Sequence, residues 1–77
     1  MSNYTILSEL EQSGTLDLLS KKGIVSINLI GYMKIYRQVD EQLKVRGSQK
    51  MVVYQNVADK NGVHINTVIN ACKWCDL

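Results

Sequence analysis

Between Tyr54 and Lys73 the chain spaces an alanine, a glycine and a run of aliphatic residues as two helices require if they are to cross at close range. A first helix ending near Lys60 must turn sharply into a second, and the turning residue needs a positive φ, which glycine adopts without a Cβ penalty. That assigns the corner to Gly62. Ala58, four positions earlier, then lies where the second helix comes nearest, because a larger side chain would force the pair apart. Val57, Val63 and Val68 are predicted to fill the apolar wedge between the two. So short a pair has too little surface to stand alone, and further helices must lie beneath it.

From Ile65 to Cys75 polar and apolar residues separate onto different sides of the second helix. Val68, Ala71, Cys72 and Cys75 recur at three- and four-residue steps, with Ile65 at the start. Asn66, Asn70 and Lys73 recur on another side, flanked by Thr67. Asparagine presents a donor and acceptor pair that suits adenine, and lysine reaches guanine or a phosphate. A purely structural helix more often carries Glu, Lys and Arg on its outer face. The pattern reads as a helix-turn-helix, whose second helix enters the major groove of DNA. The same geometry serves as plain packing in proteins that touch no nucleic acid, so the polar face carries the functional expectation.

The remaining residues read as a frame for that motif. Residues 3 to 12 and 15 to 22 are predicted as two short amphipathic helices, parted at Ser13-Gly14, with Thr15 as N-cap and Gly23 as a stop. Ser26 is placed to cap a long helix running to about Arg46 and closed by Gly47, on the order of 30 Å at about 1.5 Å per residue. Its apolar stripe is Leu29, Tyr32, Met33, Tyr36, Val39 and Leu43, and Asp40 stands at i,i+4 spacing from Lys44. Gly31 inside that helix costs about 1 kcal/mol relative to alanine, for which close packing against a neighbour is the expected motive. The β-branched run Met51-Val52-Val53-Tyr54 is open to a short strand and a winged variant; the helical step of Tyr54, Val57 and Ala58 favours helix. The expected architecture is all-α, a small bundle of four to five helices in one domain, 1–77. Within it lie short helices at 1–22, the scaffold at 26–46 and the helix-turn-helix at 51–75.

Charge is modest but unevenly spread. The net value is +2, yet residues 1–30 hold two lysines against three acids, a net of −1, and residues 31–77 hold seven cations against four acids, a net of +3. The basic bias accompanies the motif and suits phosphate neutralisation. Of Lys34, Arg37, Lys44, Arg46, Lys50, Lys60 and Lys73, the pair flanking the first motif helix, Lys50 and Lys60, is preferred for backbone contact, with Arg46 third. A 45% hydrophobic chain without phenylalanine or proline builds only a modest core, which makes a homodimer the natural remedy.

Chemistry at a reactive site is not indicated. Cys72-Lys-Trp-Cys75 leaves only His64 as a further soft ligand where zinc takes four, and a redox motif requires a strand-to-helix setting. The bland reading is two small buried hydrophobes, with zinc bridged by two copies as the other option. Trp74 is expected to pack against the end of the long helix or a partner. His64 lacks a nucleophile or paired acid at useful spacing, and no phosphate-binding loop or metalloprotease signature occurs. The sequence therefore implies no catalytic residue, no metal, no cofactor and no small-molecule substrate. No apolar run reaches membrane-spanning length and the N-terminus lacks signal-peptide character, so the expected compartment is the cytoplasm, where free thiols persist.

Residues 53 to 71 resemble the helix-turn-helix of lactose-repressor-type regulators, whose Tyr, Val-Ala, Gly-Val and Thr-Val pattern appears as Tyr54, Val57-Ala58, Gly62-Val63 and Thr67-Val68. Over residues 23 to 75 the chain also resembles the DNA-binding effector domain of the sporulation-initiating response regulator, through Gly31-Tyr32, Arg37, Tyr54, Val57-Ala58, Val68 and Ala71. Gly23 and Arg37 each stand about one residue out of step. Both resemblances imply sequence-specific binding of double-stranded DNA. Base contacts would fall to His64, Ile65, Asn66 and Asn70, and backbone contacts to Thr67 and Lys73. This chain departs from both families in having no arginine after Arg46 and in placing His64 where a serine commonly caps the helix, a poorer N-cap. The implied role is a small transcription regulator without a phosphorylation switch; the alternative is a protein-interaction module on the same scaffold.

Overall fold

A computed structural model describes residues 1–77 as five helices and no strand: α1 (Asn3–Gln12), α2 (Thr15–Lys21), α3 (Ile27–Leu43), α4 (Lys50–Asn61) and α5 (Ile65–Asp76). The all-α bundle is as the periodicity predicts, and the run from Met51 to Tyr54 is helical. Val53 from that run is buried, while Met51 and Val52 stay exposed.

Local capping explains most boundaries. Ser2 Oγ accepts the amide of Thr5 at 3.1 Å to start α1, and Ser26 Oγ accepts the amide of Asn28 at 3.1 Å to start α3. Thr15, however, is not a cap. Gly14 occupies the cap position at φ +80°, and Ser13 Oγ bonds the Thr15 hydroxyl at 2.9 Å, so Thr15 is already inside α2. The scaffold helix also stops at Leu43 rather than near Arg46. The amide of Val45 reaches back only three residues to the Gln42 carbonyl, and Ser48 Oγ shares its one proton between the carbonyls of Gln42 at 2.8 Å and Val45 at 2.7 Å. Those bonds satisfy the orphan carbonyls in a tightened turn instead of another helical one.

α3 is buried on two sides. Toward α1 and α2, Met33 meets Leu7 and Leu16, with Tyr4, Leu10, Leu29 and Trp74 at the edges. Toward α4 and α5, Ile35 and Val39 join Val53, Val57, Ala58, Val68, Ala71 and Cys72. Ile35 lies outside the predicted stripe because that stripe supposed a single buried face. Leu43 belonged to it and is 36% exposed. Gly31 is no close-packing site either: a Cβ built there meets nothing within 4 Å, since the residue borders an open groove with Ile27, Asn28, Ile35, Val63 and Thr67.

Polar links tie the N-terminal helices to this frame. Arg37 donates to Tyr4 Oη at 2.8 Å and grips Glu11 through both terminal nitrogens, at 2.7 and 3.3 Å. Asn3 Nδ2 donates to the Trp74 carbonyl at 2.9 Å, joining the start of α1 to the end of α5. Arg37 is therefore a structural cation, withdrawn from the set available to phosphate.

Candidate nucleic-acid interface

The corner between α4 and α5 is made by backbone geometry. Gly62 lies at φ +66°, ψ 32°, and its amide donates to the Asp59 carbonyl at 3.3 Å while the Val63 amide reaches the Ala58 carbonyl at 3.0 Å. This pairing is the Schellman arrangement, which requires a left-handed residue at the glycine. Ala58, Val57 and Val68 are each 0% exposed, so the predicted close crossing is filled by those three. Val63 is not part of the wedge. At 36% exposure it lies outside the core cluster and lines the groove beside Gly31, on the far side of the glycine corner.

His64 starts α5 as a working cap. Its Nδ1 accepts the amide of Asn66 at 3.1 Å, taking the part a serine oxygen plays elsewhere. An accepting Nδ1 leaves the proton on Nε2, so the exposed edge of the ring is a donor. Along α5, Val68, Ala71, Cys72 and Cys75 are buried. Asn66, Asn70 and Lys73 are exposed on the side directly opposite. Ile65 is half-buried and packed on the core, so of the four residues assigned to base reading only His64, Asn66 and Asn70 stand free. Thr67 is half-buried and lines the flanking groove.

Three of the nine cations are spent on acids: Lys21 on Asp17 at 3.2 Å, Arg37 on Glu11 at 2.7 Å and Lys44 on Asp40 at 3.2 Å. Arg46, Lys50, Lys60 and Lys73 are exposed and in no ion pair. Lys50 begins α4, where Gln49 supplies no side-chain cap and the first turn contains no acid. Such a helix start leaves amides and positive dipole available to an anion. Lys50 also shares a shallow pocket with Asp40 and Asp76.

The far end of α5 is anchored by contacts between residues distant in sequence. Tyr36 Oη donates to Asp76 Oδ1 at 2.8 Å; that bond, with burial, pushes the phenol up to about 12. Trp74 packs against Tyr32 with ring centroids 6.3 Å apart, within the cluster around Met33 and beside the N-terminal half of α3. Cys72 and Cys75 are free and buried, and the Cys75 thiol donates to the Tyr32 carbonyl at 3.7 Å. Burial raises both thiols, Cys75 to about 11. No group of three or more His, Cys, Asp or Glu side chains is gathered as a metal would need, and no helix is long and apolar enough to cross a membrane.

Compared with protein-family models, with curated proteins and with solved structures, the chain matches none.

Proposed function

We propose that this chain binds double-stranded DNA in a sequence-specific manner, laying α5 in the major groove, and acts as a small non-enzymatic transcription regulator in the cytoplasm. The observation that carries this reading is the outward face of α5, where Asn66, Asn70 and Lys73 stand exposed opposite a fully apolar buried side. His64 extends that face at the helix start, and Ile65 contributes only its uncovered edge. Lys73, Lys60, Lys50 and Arg46 serve phosphate, with Thr67 at the groove margin. Four free cations around the helix-turn-helix make a modest electrostatic footprint, so the working form is a homodimer on paired half-sites.

A salt titration tests the reading. The logarithm of the binding constant should fall against that of salt by about 0.9 for each phosphate neutralised, and Lys60→Ala should weaken every duplex alike while lowering that slope. Binding indifferent to salt would favour a protein partner. That second reading draws on the exposed aliphatic cluster at the α3–α4 corner, Val45 at 64%, Met51 at 60% and Val52 at 53%, which DNA binding does not use.

A further inference from the structure

We infer that α5 reads A·T base pairs, with Asn66 and Asn70 each taking an adenine and Ile69 meeting a thymine methyl; the inference rests on the DNA-binding reading above. Not every asparagine amide of the chain is free. Asn3 spends its carboxamide on the Trp74 carbonyl at 2.9 Å, and Asn61 spends its own on Gln38 and the Val57 carbonyl, both at 2.7 Å. Asn66 and Asn70 are exposed and their carboxamides bond to nothing in the protein. A free asparagine amide matches the N6 donor and N7 acceptor of adenine with two parallel hydrogen bonds.

The remaining bases lack their usual readers. Guanine is most often read by arginine, and α5 contains none, while its one lysine, Lys73, is assigned to phosphate in the reading above. Cytosine offers a donor that a carboxylate would accept, but the only acid of α5, Asp76, already accepts from Tyr36. Ile69 is half-buried at the margin of the face, three residues after Asn66 and four before Lys73. It presents an apolar edge there, and among the bases only thymine offers a methyl group to it. His64 donates through Nε2, which the acceptors of several bases satisfy equally, so it adds affinity more than selectivity.

Spacing follows from helix geometry. Four residues separate the two asparagines, a rise of about 6 Å. At about 3.4 Å per base pair the two adenines lie about two steps apart.

Selection of duplexes from a random pool by the full chain provides the test. Enriched sites should share two A·T pairs at that separation. Replacing either adenine with 7-deazaadenine, which lacks the N7 acceptor, should cost about tenfold to a hundredfold in affinity. Asn66→Ala should abolish the penalty at one adenine and Asn70→Ala at the other, and uracil in place of thymine should cost less, an effect lost in Ile69→Ala. Thermal unfolding of each variant separates these losses from misfolding. Enriched sites with G·C at those positions, or indifference to 7-deazaadenine, would overturn the inference while leaving DNA binding in place. Failure to retain any duplex would overturn the DNA-binding reading and this inference with it.

Discussion

His64 Nδ1 accepts the backbone amide of Asn66 at 3.1 Å, so the residue that starts α5 and the first exposed asparagine on its outer face are joined by one hydrogen bond. Removing the acceptor should fray the first turn of α5. His64→Ala is expected to lower unfolding free energy by roughly 1 kcal/mol, whereas His64→Ser, a better cap, should hold or raise it. Urea denaturation compares them. Because serine supplies no ring donor, His64→Ser should nonetheless bind DNA more weakly than the parent, and equal affinity would remove His64 from the interface.

Two glycines should respond to alanine with opposite signs. Gly62 and Gly31 both face open space, with nothing within 4 Å of a built Cβ, but Gly62 sits at φ +66° and Gly31 lies within α3. Gly62→Ala should therefore cost about 1–2 kcal/mol through backbone strain alone. Gly31→Ala should stabilise by about 0.5–1 kcal/mol, since helix propensity rises and no packing is lost. Thermal melts of the two variants would settle both; destabilisation by Gly31→Ala would mean that something covers the groove beside it.

The Arg37–Glu11 pair makes a pH-dependent contribution. The hydrogen bond from Arg37 is the main cause holding the Glu11 carboxyl below its ordinary 4.5. A carboxyl depressed in the folded state lends stability above its unfolded value and loses it as pH falls through the folded one. The pair is partly open to water, with side chains 34% and 44% exposed, so Glu11→Gln should cost only about 0.5–1 kcal/mol at neutral pH. That difference should shrink toward zero below pH 4.5. A gap that persisted in acid would point to shape rather than charge.

The two thiols should be silent until the chain unfolds. Burial holds Cys75 up at about 11 and raises Cys72, so at neutral pH both are protonated and covered. An aromatic disulfide reagent should register almost no reaction with native protein and two thiols in denaturant. For Cys75 the raised value lends stability below its ordinary 9.0 that disappears as pH climbs past about 11. Rapid native-state reaction would show that the end of α5 opens readily.

Much of the fold was legible because its signals are local. Ser26 at the start of α3, Gly62 at the corner and the division of α5 into buried and exposed sides each depend on residues within a turn or two of one another. The misses share a different cause. Whether Val63 fills the wedge depends on how α4 crosses α5, and whether Ile35 is buried depends on a second layer pressing on α3. The early stop of α3 depends on Ser48 folding back on Gln42 and Val45. The withdrawal of Arg37 from the free cations is equally non-local, because its partner Glu11 is 26 residues away.

Helical class, the glycine corner and the row of asparagine and lysine on α5 were thus determined by the sequence alone, because backbone preference and apolar period act over a few residues. The tertiary structure alone decided that Asn66 and Asn70 keep free amides, that Ile65 is half withdrawn into the core and that Arg46, Lys50, Lys60 and Lys73 remain unpaired. Those outcomes depend on which side chains meet across helices, a matter of three-dimensional packing that no local spacing encodes.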